Sequence, residues 1–305
     1  MILREIILRM KTNEGIKMAR KILVCPNSAS VSDGVLTIET SWDGEPFGMV
    51  DSYLTISSPS VFTLSVYNET KNWNGKIEYS VNKAVWTEWD GSTTITADTY
   101  GSDYCIFIRG FGNTKLTGND PDYAWILDGS YIEFQGDIGC LLHSPNAGKM
   151  KESEVDQYGC AYLFSGNAGI VNTPAMKYVT LSMGCFSHMF EDCVGIESCS
   201  ALPQLVLAEN CYYSMFAGCT SLATLPELPS IVLLSGCYAS MFDGCSEIKL
   251  SALQEGNYQN AYRIPARGSA FGGPTAVTSM FADTGGTVTD IAVNTTYYTS
   301  NSIVS

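Results

Sequence analysis

One stretch of this chain repeats at a constant interval of 26 residues, and that interval decides the fold. Cys211-Tyr212-Tyr213-Ser214-Met215-Phe216-Ala217-Gly218-Cys219 recurs as Cys237-Tyr238-Ala239-Ser240-Met241-Phe242-Asp243-Gly244-Cys245. An earlier copy reads Cys185-Phe186-Ser187-His188-Met189-Phe190-Glu191-Asp192-Cys193. No insertion interrupts the spacing of these three copies. Identity at constant spacing is the sequence signature of stacked repeats.

The side chains that recur in every copy are predicted to form a shared core. Fixed apolar positions of stacked repeats face inward, because a single copy cannot bury its own hydrophobic face. The predicted core residues are Cys185, Met189, Phe190, Cys193, Cys211, Met215, Phe216, Cys219, Cys237, Met241, Phe242 and Cys245.

Each copy divides into two halves of different character. Cys211, Met215 and Phe216 stand at positions i, i+4 and i+5, a spacing that predicts one or two turns of helix with an inward face. Further along the same copy, Ile231 and Leu233 alternate as in a short strand. This composition is typical of a leucine-rich-repeat-like solenoid.

The pattern becomes irregular beyond the three clear copies. Leu163-Phe164 stands in register as a degenerate earlier copy, with Cys160 displaced by one position. Met280-Phe281 follows Met241 by 39 residues instead of 26. Because terminal repeats must shield an open core, we expect atypical copies at both ends.

The first half of the chain has the pattern of short antiparallel strands. Ile77, Tyr79 and Val81 alternate with polar residues, and turn-forming glycines and aspartates separate the strands. The fold class predicted is mixed and β-rich with short helices, an antiparallel β-sandwich-like domain followed by a solenoid. The predicted divisions are an N-terminal extension (1–20), a β domain (21–149), a solenoid (150–288) and a closing segment (289–305).

Composition argues against several classes of partner. The formal charge of −14 comes without a basic cluster, so we expect no nucleic acid. No apolar run approaches the roughly 20 residues that span a bilayer, so we expect no membrane insertion. Arg4, Glu5 and Arg9 interrupt the apolar N-terminus, which predicts no secretion signal. Met18 is an alternative start, which would make residues 1–17 an artefact of gene assignment.

The eleven cysteines are interpreted as core fillers. Their number is odd, and seven residues separate the two cysteines of a copy, unlike the short spacing of structural zinc sites. We therefore predict buried free thiols, no metal and no cofactor. A disulfide between neighbouring copies remains an alternative, because stacked columns can bring two cysteines within bonding range.

The unit Cys-Tyr-x-x-Met-Phe-x-Gly-Cys-x-x-Leu, followed by Leu-Pro-x-Leu-Pro, resembles the BspA-like leucine-rich repeats of gut and oral bacteria and their phages. The block from Ile77 to Gly110 resembles the β module that often precedes them. The resemblance implies adhesion or host attachment. Because this chain shows no signal peptide or anchor, we expect a phage virion component made in the host cytoplasm, of tail-fibre, receptor-binding or head-decoration type. Its expected partners are other virion proteins and a bacterial surface receptor, with a homo-oligomer possible. The alternative is a bacterial cell-surface adhesin.

Binding is predicted at the positions that vary between the fixed columns, together with tryptophans of the β region. Aromatic rings stack on sugars as well as on each other. The candidate surface residues are Tyr212, Tyr213, Tyr238, Glu209, Glu227, Asp243, Trp86 and Trp89.

No catalytic residue is predicted. His188 occupies a repeat position that holds serine in the next two copies, and His143 stands beside Ser144-Pro145 at the junction of the two predicted domains. A polysaccharide hydrolase is the second alternative, because paired carboxylates perform that chemistry. The acids considered for it are Glu88, Asp90, Glu133 and Asp137.

Overall fold

A computed structural model describes residues 53–142, 153–204, 206–226, 228–230, 232–248 and 273–285, together with six short strands elsewhere. The protein is β-rich with few and short helices, and its larger sheets are antiparallel. The strands are β1 Arg9–Thr12, β2 Gly15–Met18, β3 Ser28–Ser32, β4 Val35–Glu39, β5 Leu54–Ser58, β6 Thr63–Val66, β7 Lys76–Ser80, β8 Thr87–Trp89, β9 Ile95–Thr96, β10 Asp98–Tyr100, β11 Asp103–Phe111, β12 Trp125–Asp128, β13 Glu133–Gln135, β14 Ser153–Glu154, β15 Val179–Thr180, β16 Leu250–Ser251 and β17 Thr287–Val288. Helix α1 spans Gly139–Leu142, and two 3-10 helices span Pro121–Tyr123 and Gly273–Val277.

The chain forms two compact units, Met1–Phe47 and Gly48–Ser305. In the first unit, β1 pairs antiparallel with β2, and β3 pairs antiparallel with β4. The predicted boundary between residues 149 and 150 falls inside the second unit. The predicted closing segment, 289–305, lies outside the described residues.

Two antiparallel sheets occupy the first part of the second unit. One has the order β13-β5-β11-β7-β8, with β10 also paired to β11, and the other has the order β12-β6-β9. Along the central strand β11, Ile106 and Ile108 enter the hydrophobic core. Phe107 and Arg109 alternate with them and face the opposite side of the sheet. The sheet therefore has one core face and one outer face.

The repeat copies lie alongside one another and are joined by backbone hydrogen bonds. The amide of Phe164 donates to the Met189 carbonyl at 2.9 Å, and the amide of Phe190 donates to the Met215 carbonyl at 2.9 Å. The same bond joins Phe216 to Met241 at 3.0 Å. Each copy is thus aligned with the next by a ladder of the same register.

The backbone within a copy is a run of turns and not the predicted helix. The Phe216 amide donates to the next copy, whereas the Met215 amide donates to the Tyr212 carbonyl, three residues back, at 3.2 Å. Every fourth residue has a left-handed backbone conformation, with φ of 53° at Asn210, 51° at Ser214 and 75° at Gly218. Because every second amide donates its hydrogen bond to the neighbouring copy, the hydrogen bonds to the carbonyl of residue i−4 that define an α-helix cannot form.

A stack of phenylalanine rings runs through the centre of the copies. The centroid distances are 5.6 Å for Phe164–Phe190, 5.7 Å for Phe190–Phe216, 5.8 Å for Phe216–Phe242 and 5.7 Å for Phe242–Phe281. The last pair shows that Phe281 belongs to a fifth copy in register. The Phe242 amide also donates to the Met280 carbonyl at 3.0 Å. The 39-residue interval therefore places 13 surplus residues between copies four and five without breaking the stack.

The sheets and the first copy share one core. Trp125, on β12, lies 6.1 Å from the Phe164 ring, and its amide donates to the Leu163 carbonyl at 2.8 Å. The amide oxygen of buried Asn167 accepts from Leu127, and its amide nitrogen donates to the Trp125 and Phe164 carbonyls. The β region and the repeats are consequently continuous in packing and in hydrogen bonding.

Candidate functional site

The twelve predicted core side chains are fully buried. Their relative exposure is 0% at Cys185, Met189, Phe190, Cys193, Cys211, Met215, Phe216, Cys219, Cys237, Met241, Phe242 and Cys245. The cysteines of the described residues are free, and burial raises the pKa of Cys185, Cys193 and Cys245 to about 12. These thiols therefore stay protonated at neutral pH and fill the core.

The prediction that Tyr212 and Tyr238 lie on the binding surface is wrong. Their exposures are 0% and 1%, and their rings stack at 6.0 Å. Phe186 continues this stack, 6.2 Å from Tyr212. The signal was present in the sequence, because this column holds an aromatic residue in three successive copies. The hydroxyl of Tyr212 donates to the Gln204 side chain at 2.8 Å, which satisfies its polar end.

The remaining predicted surface residues differ in their exposure to solvent. Glu209 is exposed, and Tyr213 is 37% exposed. Asp243 is half-buried, and burial together with the nearby Asp283 carboxylate raises its pKa. Trp89 is buried in the core at 1% exposure, whereas Trp86 is half-buried. Glu227 and His143 lie outside the described residues.

Tyr213 belongs to a side-chain cluster that crosses three copies, which we call the Tyr–His cluster and define as Tyr162, His188, Glu191 and Tyr213. The His188 ring stacks on Tyr162 with centroids 4.4 Å apart and an interplanar angle of 3°. Tyr213 meets the same imidazole in a T-shaped contact at 5.1 Å. Nδ1 of His188 lies 2.9 Å from Oε2 of Glu191. The cluster joins three rings and a carboxylate on one part of the surface.

The rings of this cluster are not required by the repeat. Tyr162 and His188 occupy a left-handed position, with φ of 59° and 57°. The same position holds Ser214, Ser240 and Ser279 in the later copies, also with positive φ. A tyrosine in this conformation is uncommon, whereas histidine adopts it more readily. Since serine satisfies the backbone in three copies, the fold does not explain the rings.

The position of Tyr213 leads to the same conclusion. Its counterparts in the other copies are Ala161, Ser187, Ala239 and Thr278, none of which carries a ring. Neither Tyr162 nor His188 is among the residues that the sequence predicts to bind. The available signal was that three large rings replace small residues in adjacent copies.

The polar groups of the cluster are arranged for hydrogen bonding. Burial, followed by the negative charge of Glu191, raises the pKa of the Tyr162 phenol, so this hydroxyl remains a donor at neutral pH. The Glu191 carboxylate accepts hydrogen bonds and orients the His188 ring. Among the described residues, no serine or cysteine hydroxyl or thiol is hydrogen-bonded to His188.

A second aromatic group lies on the outer face of the larger sheet. The Arg109 guanidinium lies 3.8 Å from the Trp86 ring centroid and donates to Oε2 of Glu78 from Nε at 2.9 Å and from Nη2 at 2.8 Å. Burial would raise the pKa of Glu78, but hydrogen bonds from Lys76 and Arg109 outweigh it and lower the pKa. Because these charges are already paired, this group stabilises the sheet face.

The acids considered for hydrolysis are dispersed. Glu88 and Glu133 are exposed on β8 and β13, and Asp90 accepts hydrogen bonds from Ser92 in a turn. Asp137 is 2% exposed, and its two carboxylate oxygens accept from the amides of Gly139 and Lys177 at 2.8 and 2.7 Å. The Asp137 carboxylate thus holds backbone segments together.

One groove lies apart from the predicted binding residues. A groove of about 350 Å³ is lined by Lys177, Val179, Thr180, Leu181, Pro203, Gln204 and Val206, none of them a predicted binding residue. Within the described part of the chain, no three His, Cys, Asp or Glu side chains are grouped to hold a metal ion. In that same part, no helix has the length and apolar character to cross a bilayer.

A scan against protein-family models and searches of curated proteins and of solved structures found no match for this chain.

Proposed function

We propose that this chain is a leucine-rich-repeat-like solenoid preceded by a sandwich-like β region, and that it acts as a non-enzymatic binding protein. The observation that carries the proposal is the Tyr–His cluster, whose rings replace small residues in copies that are otherwise alike. A rigid repeat core leaves its outer positions free to vary, which is how repeat proteins build recognition surfaces.

We propose further that the chain is a phage virion component that attaches the particle to a bacterial surface. The support is the resemblance of its repeat unit to the BspA-like repeats, together with an outer face that carries aromatic and acidic side chains. Its partners would be other virion proteins and a receptor on the bacterium. A bacterial cell-surface adhesin remains the alternative, because the same surface would serve either location.

Immunogold electron microscopy separates the two locations. Antibodies raised against the purified chain should label purified virions from the strain that carries the gene. Label on uninfected cells, with none on virions, would support the adhesin and contradict the virion proposal. A reducing-sugar assay of the purified chain on host polysaccharide is the companion measurement, and sustained release of sugar would overturn the non-enzymatic proposal.

A further inference from the structure

We infer that the Tyr–His cluster is a saccharide-binding site, an inference that rests on the proposed binding function and specifies its ligand. Tyr213 is 37% exposed, Tyr162 and His188 are partly exposed beside it, and Glu191 provides an acceptor. The C–H face of a pyranose packs on such rings, while its hydroxyls need donors and acceptors at the rim.

The ring geometry distinguishes a sugar from a cationic ligand. An aromatic cage for an ammonium group needs rings that surround an open space. Here the rings contact one another, with centroids 4.4 Å apart for Tyr162–His188 and 5.1 Å apart for His188–Tyr213. No room for a cation remains between them. The partly exposed rings instead form one contiguous group, which suits an extended, flat-sided ligand.

The hydrogen-bonding groups around the rings fit a neutral polyol. The Tyr162 hydroxyl is a donor and an acceptor, and the Glu191 carboxylate accepts. The formal charge of the chain is −14, so an anionic ligand would meet general repulsion. Neutral or cationic sugar residues therefore suit the site better than acidic ones.

The repeat itself supplies the variants that test this inference. Tyr162→Ser and His188→Ser install the residue found at the same position in copies three to five. Tyr213→Ala installs the residue found in copies one and four. These changes remove the rings and preserve the backbone that the other copies use. Tyr67→Ala is the matched control, because Tyr67 is 67% exposed and lies on the β region.

A printed array of defined bacterial and mammalian glycans is the probe. We expect the wild-type chain to bind at least one neutral glycan, and each cluster variant to bind it about tenfold more weakly or worse, with Tyr67→Ala unchanged. Absence of glycan binding by the wild type would overturn the inference. So would equal binding by wild type and Tyr213→Ala, or a preference for choline over every glycan.

Histidine NMR provides a second readout that is independent of affinity. The chain contains two histidines, His143 and His188. Adding the bound glycan should shift the imidazole signal of His188, and an unmoved His188 signal at saturation contradicts the site. If antibodies label the virions but the purified chain binds no glycan, the saccharide site is refuted and the virion location stands. Glycan binding through the cluster without virion label would refute the location alone.

Discussion

At the scale of single residues, one cysteine column bridges neighbouring copies through its thiol hydrogens. The Cys193 thiol donates to the Phe164 carbonyl at 2.9 Å, and the Cys219 thiol donates to the Phe190 carbonyl at 3.2 Å. Cys245 repeats the contact one copy further on, at 3.1 Å from the Phe216 carbonyl. These cysteines therefore do more than fill volume, because each offers a weak donor to a buried carbonyl.

The other column allows a matched comparison. Cys237 is equally buried, but its sulfur lies 3.9 Å from the Ala276 carbonyl. We expect Cys219→Ala to lower the free energy of unfolding by about 1–3 kcal/mol, because a hydrogen bond and packing volume are lost together. Cys237→Ala should cost less, because mainly volume is lost. Urea denaturation measures both, and equal losses would contradict a bridging role for the thiol.

At the scale of the element, the run of turns depends on a left-handed residue at every fourth position. Gly244 has φ of 73°, and a Cβ added there would meet only an ordinary contact at 3.5 Å. Any cost of Gly244→Ala therefore reflects backbone conformation and not a clash. We expect a loss of about 1–2 kcal/mol in the free energy of unfolding. Gly244→Asn should lose less, since asparagine tolerates this conformation, and thermal unfolding of the two variants gives the comparison. A neutral Gly244→Ala would show that the run relaxes locally.

The conformation of this element could not be derived from local periodicity. Cys211, Met215 and Phe216 all face inward, as the spacing predicts, yet they are not helical. The reason is that alternate amides bond to a copy 25 residues away, as the Phe216 amide does to Met241. Helical spacing identifies an inward face, but it contains no information on where the amide hydrogens go.

Whether an aromatic residue is buried depends on its position in the repeat and not on its residue type. Residues at the same position in successive copies form a column. Tyr212 and Tyr213 are adjacent and chemically identical, but Tyr212 continues the column of Phe186 and Tyr238. Tyr213 stands at a repeat position that holds alanine, serine or threonine in the other copies, and it alone of the two is exposed. Comparison within columns would have assigned both. The alignment of the fifth copy could not be derived in this way, because the 13 surplus residues conceal its register.

At the scale of the whole second unit, the β region and the repeats form one packed body. The aromatic series Trp89, Trp125, Phe164 and Phe190 crosses the predicted boundary, with centroid distances of 5.1, 6.1 and 5.6 Å between successive members. The hydrogen bonds of Asn167 cross it as well. A body whose described residues share a continuous core is expected to unfold cooperatively.

Two probes on opposite sides of the predicted boundary test this cooperativity. All five tryptophans of the chain precede residue 126. Replacing Trp42, which lies in the first unit, with phenylalanine leaves four whose fluorescence reports the β region of the second unit. The NMR signal of His188 reports the second copy. We expect both probes to change at the same urea concentration.

Asn167→Ala should lower the free energy of unfolding reported by both probes by about 2–3 kcal/mol, because several buried backbone groups lose their partner. The exposed Asn68→Ala is the control and should move neither. If the tryptophan signal changed first while the His188 signal persisted, the repeats would be an independent folding unit, and the shared core would not couple the two halves.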